Sequence, residues 1–256
     1  MAIDFPTNTA LLIVVSMIGI GALSWFSLSQ GFEHLPIAPG IRRGWRWAIA
    51  IVLLAWLVIR VGFAFFSSGG TALSVPFVVA FLAVGMSVGL MPLCFSPLFR
   101  QAVAAIPLSL LVGLQTMRLG GVFFLTLLDM RLLPAPFALP VGYGDVTIGL
   151  LAVWLLYLLH TKKTSARPLI LLWCILGLLD LLIALTTGVT FLPAFAHRVV
   201  ASGGSVRYLS YVLLIPTYGV PLAVLFHLYT LFQLFFVRHQ AAPSQPTVLS
   251  DAGRAR

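Results

Sequence analysis

"ALLIVVSMIGIGALSWFSLSQ", residues Ala10 to Gln30, carries no charged side chain from end to end. A helix of that length rises ~30 Å, the thickness of a bilayer's hydrocarbon core. Six further runs have the same character: Trp47–Phe66, interrupted by Arg60; Leu73–Leu93; Val103–Leu128, which contains Gln115 and Arg118; Val141–Leu159; Leu169–Thr187; and Leu209–Val237. The spacing predicts an all-α integral membrane protein with a bundle of seven transmembrane helices.

Composition agrees. The chain has 256 residues, 61% hydrophobic and 8% charged, with a mean hydropathy of +1.09. Soluble domains carry about a quarter charged residues, so this chain lacks the polar surface to cover a globule in water. Its net charge of +9 does not point to nucleic acid, because the basic residues sit in short clusters between apolar runs, with no basic groove or recognition motif. Cys94 and Cys174 lie in separate apolar runs and suggest neither a disulfide nor a metal site. The N-terminal sequence lacks a positive n-region, and its apolar run outlasts a signal peptide, so it reads as an uncleaved span.

Residues 1–238 therefore form one membrane domain. The tail 239–256, "HQAAPSQPTVLSDAGRAR", is polar, without periodicity, and expected to be disordered. Arg42, Arg43, Arg46, Arg100, Lys162, Lys163, Arg167, Arg238, Arg254 and Arg256 fall on one side of the predicted spans. Only Arg131, Arg198 and Arg207 fall on the other. The positive-inside rule then places the N-terminus outside and the C-terminus in the cytoplasm.

With that orientation, the charges within spans acquire depths. Arg60 and Arg118 both reach the outer half, with Gln115 about one turn below Arg118. Asp129 ends the fourth span, Asp145 lies near the outer start of the fifth, and Asp180 sits near the midplane of the sixth. A charge in the bilayer core costs at least a few kcal/mol unless paired. Arg60, Gln115, Arg118, Asp129, Asp145 and Asp180 are therefore expected to face one another as an outer-half polar network. Within it, Asp145 would pair with Arg118, and Asp180 would pair with Arg60 or join the same network.

Asp145 has three readings. Pro134, Pro136 and Pro140 would end helical structure before it, and Gly142 and Gly144 would permit a tight turn into the next helix. Asp145 would then be a first-turn acid at the positive end of a helix dipole. It also reads as half of an arginine–carboxylate lock between helices, or as part of a site for chemistry or transport. Other polar residues read more plainly. His227 is placed toward the cytoplasmic end of the seventh span as a solitary packed histidine. His34, His160, His197 and His239 fall in loops without metal-ligand spacing. Trp25, Trp45, Trp47, Tyr157 and Tyr208 read as interface anchors. Pro216 and Pro221 are expected to kink the last span, and Gly85 and Gly89 to allow close helix packing.

Four functions follow from these residues. A buried Arg/Asp network fits the binding or transport of a small solute or ion, with the Arg60/Arg118 pair supplying positive charge; this is the favoured reading. A seven-helix photoreceptor resembling the rhodopsins requires a lysine in the bundle for retinal; the lysines, Lys162 and Lys163, sit in a loop, so covalent retinal is discarded, though a small-ligand receptor is not. An enzyme is weighed through Gly142-x-Gly144-Asp145, which is similar to the Gly-x-Gly-Asp motif of the intramembrane aspartyl proteases. That resemblance implies a second carboxylate, from Asp180 or Asp129, sharing a proton with the first. The chain departs from that group. No Tyr-Asp pair precedes the motif, no Pro-Ala-Leu follows it, and Thr147 stands where the prepilin type has lysine. Arginines at similar depth would also hold both acids ionised. The fourth reading is a non-catalytic scaffold or complex subunit.

The run "RLGGVFFLTLLDMRLLPAPFALPVGYGDVTIGLLA", Arg118 to Ala152, resembles a segment of uncharacterised bacterial multi-pass membrane proteins, in which an Arg-x-Gly-Gly-like helix leads to Phe-Ala-Leu-Pro and Gly-x-Gly-Asp. The resemblance implies a bacterial inner-membrane location and no activity; it singles out Arg118, Gly142, Gly144 and Asp145. The expected partners are membrane lipids and a small solute or ion. No cofactor, metal or nucleic acid is expected, and the sequence specifies no oligomeric state.

Overall fold

The computed structural model describes residues 7–66, 74–161, 166–201 and 206–240. Residues 67–70, whose Ser-Ser-Gly-Gly sequence predicts a short turn, lie outside the described residues, as do Lys162, Lys163, the tail beyond Gln240 and the side chains of Arg207, Tyr208, Arg238 and His239. The described residues are helical throughout, joined by short turns, with no strand among them.

The elements are α1 (Thr7–Glu33), α2 (Pro39–Phe66), α3 (Val75–Phe95), α4 (Pro97–Ala105), α5 (Leu108–Leu114), a 3₁₀ segment (Gln115–Gly121), α6 (Val122–Asp129), α7 (Ala135–Thr161), α8 (Arg167–Ala201), α9 (Val206–Val212), a π segment (Ile215–Gly219) and α10 (Val220–Gln240). Seven of the resulting continuous helical stretches are long and apolar enough to cross a membrane. The stretch Leu209–Phe235 is the central one: most of its side chains are buried, whereas the others turn most of theirs outward. Leucines, valines and phenylalanines on those outward faces are exposed, as lipid-facing surface requires.

Prolines place the breaks. Ser96 caps α4, its hydroxyl accepting from the Phe99 amide at 3.2 Å, and Pro97 occupies the first turn, where no amide is needed. Pro107 cannot continue α4, so the fourth span starts at Leu108 and not at Val103 as expected. Its middle tightens into the 3₁₀ segment Gln115–Gly121. The span ends where Arg131 adopts the left-handed conformation, φ 60°, which turns the Leu132 and Leu133 amides back to the Leu127 carbonyl.

Two expectations change at α7. The helix begins at Ala135 and runs through Pro136 and Pro140, because a proline in the first turn and a half gives up few amide bonds. Gly142 and Gly144 are therefore helical and form no turn, and Asp145 lies inside α7, beyond its first turn. The sixth span likewise runs on to Ala201, so His197 is helical, as is His160 near the end of α7. In the last span, Pro216 falls in the π turn and Pro221 in the first turn of α10.

Small residues set the spacing of the helices. A Cβ at Gly85 would strike the Trp56 ring and one at Gly89 would strike Leu225, so α3 lies close against α10 and receives the ring tip of Trp56 from α2. Tyr229 donates to the Gly89 carbonyl at 2.8 Å across the same contact. Cys94 and Cys174 are both free thiols.

Candidate functional site

Arg118 lies in the 3₁₀ segment, facing α7, α8 and α10, and its side chain is buried. Its Nε donates to Asp145 Oδ1 at 2.7 Å, its Nη2 to Asp180 Oδ2, and its Nη1 to the Gly177 carbonyl at 3.2 Å. Nη1 also approaches His227 Nε2 at 3.5 Å. The structure thus brings together Arg118, Asp145 and Asp180 from the expected network and adds His227. One guanidinium bridges two carboxylates on adjacent helices, with the fork geometry that suits arginine for buried pairing.

Glycines permit the approach. A Cβ at Gly144 would land on the Asp180 carboxylate, one at Gly177 on the His227 ring, and one at Gly121 on the Asp145 Cβ. Gly142 and Gly149 of α7 receive Leu125 and Leu119 from the fourth span, both closer than a side chain would allow. These glycines serve helix contact, and the turn-forming role expected for Gly142 and Gly144 is replaced by it.

The other expected members lie elsewhere. Asp129 is exposed at the end of α6. Gln115 is buried but points to α10, where its Nε2 donates to the Ala223 carbonyl at 2.8 Å. Arg60 is 2% exposed; its Nε donates to Thr217 Oγ1 at 2.8 Å, and its guanidinium lies 5.0 Å from the Phe77 ring centre and 4.6 Å from that of Phe81. His227 lies ten residues past Thr217 on the same span, ~15 Å of helical rise, so Arg60 and Arg118 are separate and supply no joint positive site. Asp180 takes Arg118, the second of its two expected alternatives.

Helix register explains these differences. Starting the fourth span at Leu108 places Arg118 about five residues, ~7 Å, nearer its beginning, and starting α7 at Ala135 places Asp145 about six residues, ~9 Å, farther into its helix. Both then reach the level of His227. The expected solitary histidine instead packs at a tilt against Trp173, centroids 4.7 Å apart, and Trp173 donates to the Ile148 carbonyl at 3.0 Å. The signal that would have found it is a histidine in mid-span, where an ionisable group calls for a partner.

Arg60 is a buried cation without a carboxylate partner among the described residues, held by ring faces and one hydroxyl. Thr217 also donates to the Leu213 carbonyl, so removing Arg60 strands no group. Arg60→Met is expected to change stability by no more than about 1 kcal/mol, since a buried charge replaced by apolar volume is often neutral. Thermal unfolding in detergent checks this; a loss of several kcal/mol would reveal an ionic partner.

The Arg118 centre borders a chamber of about 580 Å³ between α1, the fourth span, α7, α8 and the π segment. Arg118 and Asp145 line it; apart from Thr9 and Ser16 of α1 they are its only polar side chains among the described residues. The ionic centre is therefore not sealed by packing. No group of histidine, cysteine or acidic residues suited to a metal ion occurs among the described residues.

No curated protein and no solved structure matches the chain. The model of a domain of unknown function, DUF8737, matches residues 72–235. That range contains Arg118, Asp145, Asp180 and His227, and the whole Arg118–Ala152 run, while Arg60 and all of α1 and α2 precede it. With well over half of its residues matched, the chain belongs to the DUF8737 family.

Proposed function

We propose that this is a bacterial inner-membrane protein that binds or moves a small solute or ion through the chamber at the Arg118 centre. One observation carries the reading: the buried guanidinium–dicarboxylate centre opens onto a cavity of about 580 Å³ instead of being closed by side chains. A purely structural lock is closed by packing, whereas this space is half open to the outside of the bundle and leaves Asp145 reachable from it. Intramembrane ionisable groups that face a cavity mark pathways and binding sites. Arg42, Arg43 and Arg46 at the start of α2, with Arg100 in α4, support a cytoplasmic placement of that end and an external N-terminus. The resemblance of the Arg118–Ala152 run supports the bacterial location. A protease dyad is disfavoured, since Arg118 sits between the acids and each carboxylate is bonded to the guanidinium, where a dyad requires the two to share a proton directly.

Filling the chamber tests this. A Cβ at Gly188 meets only Phe137, at van der Waals distance, so Gly188→Leu projects into the space without backbone conflict. A neutral solvatochromic dye titrated into the detergent-solubilised protein is expected to bind saturably, and Gly188→Leu or Ala184→Trp to weaken it at least tenfold. Unchanged affinity in both variants, each unfolding at a normal temperature, would defeat the proposal.

A further inference from the structure

We infer that the chamber takes an organic monocation with an apolar body, such as a protonated amine or a quaternary onium ion, its charge set against Asp145. This rests on the chamber being a binding site and names the class of ligand.

Charge counting comes first. Arg118 supplies one positive charge, and Asp145 and Asp180 supply two negative ones. His227 adds none in this arrangement. Arginine has only donors to offer, so the approach of Arg118 Nη1 to His227 Nε2 suits a neutral imidazole that accepts at Nε2. The remaining buried arginine, Arg60, is held apart at Thr217. No other cation pairs with either carboxylate among the described residues. With both carboxylates ionised the centre carries one unit of negative charge, which a bound cation offsets in a medium where uncompensated charge is costly.

Hydrogen bonding points the same way. Nε, Nη1 and Nη2 of Arg118 are all committed to Asp145, Gly177 and Asp180. An incoming anion would have to approach a guanidinium that already holds two carboxylates, against their charge. Asp145 is different: its Oδ1 accepts from Arg118, whereas Oδ2 takes no hydrogen bond among the described residues, and the side chain is 16% exposed where it lines the chamber. A cation placed there neutralises the centre without breaking an existing bond. The remaining wall is apolar and aromatic, including Phe123, Phe124, Phe137 and Phe191. Such a wall accepts a hydrophobic body and offers ring faces to a positive charge.

Tetraphenylphosphonium and tetraphenylborate are nearly the same shape with opposite charge, so they isolate the sign. Equilibrium binding of both to the full chain in a non-ionic detergent is the experiment, with the neutral dye as a third probe. Saturable phosphonium binding is expected, at least tenfold tighter than borate, and weakened at least tenfold by Asp145→Asn. Asp180→Asn, which removes the same unit of charge from outside the chamber lining, is expected to weaken it too and serves if Asp145→Asn does not fold. Borate binding as tight as phosphonium, or phosphonium binding indifferent to both substitutions, overturns the inference. If the dye still binds and is still blocked by Gly188→Leu, the chamber survives as a site and only its charge preference is wrong. If no probe binds, both readings fall.

Discussion

Arg118→Leu is expected to destabilise the protein by about 3–5 kcal/mol, the largest loss from any single substitution in the bundle. The guanidinium holds Asp145 and Asp180 together and also satisfies the Gly177 carbonyl. Leucine leaves two carboxylates facing each other in a low-dielectric interior with no cation between them. Most of the cost is that of the stranded acids, so it should be recoverable. The triple variant Arg118→Leu, Asp145→Asn, Asp180→Asn removes every charge from the centre and should regain at least half of the loss. Unfolding in detergent, followed by circular dichroism, measures both. An unchanged midpoint for Arg118→Leu would refute the pairing; a triple variant no better than the single one would mean that guanidinium packing, not charge, carries the stability.

The second large effect is expected from a methyl group. Gly120 and Gly121 are neighbours in the 3₁₀ segment, but a Cβ at Gly120 meets nothing within 4 Å, while one at Gly121 falls on the Asp145 Cβ and lies 3.0 Å from the Gly142 carbonyl. Both obstacles are fixed to the α7 backbone and cannot rotate away. Gly121→Ala must push the fourth span off α7 and is expected to cost about 1–3 kcal/mol. Gly120→Ala should be neutral or stabilising by up to about 1 kcal/mol, because it removes backbone freedom from the unfolded chain. Thermal midpoints of the two variants, measured side by side, give the contrast. Equal midpoints would mean that the two helices are not in contact here.

Those glycines also show where reading the sequence stops. Gly142-x-Gly144-Asp145 next to three prolines carries the local signature of a turn into a helix, and local chemistry offers no reason to reject it. What overrides it is packing: α7 needs glycine at 142, 144 and 149 so that neighbouring spans can come within reach of its backbone. A helix carrying prolines only near its beginning loses little by continuing through them. His227 teaches the same lesson through depth. Counting residues from a misplaced start put Arg118 above it, and Pro107 corrects the count.

Composition and periodicity alone determined that the chain folds as apolar helices, how many are long enough to span, and that its buried charges must find partners, because each follows from the local cost of exposing polar groups to hydrocarbon. Which partners they find was decided only by the tertiary structure. Arg118 took both acids and a histidine, Arg60 took a hydroxyl and two ring faces, and Asp129 stayed outside. Pairing depends on helix rotation and register to within a single turn. These are fixed by where prolines break the spans and where glycines let them touch, and neither is a property of any one segment.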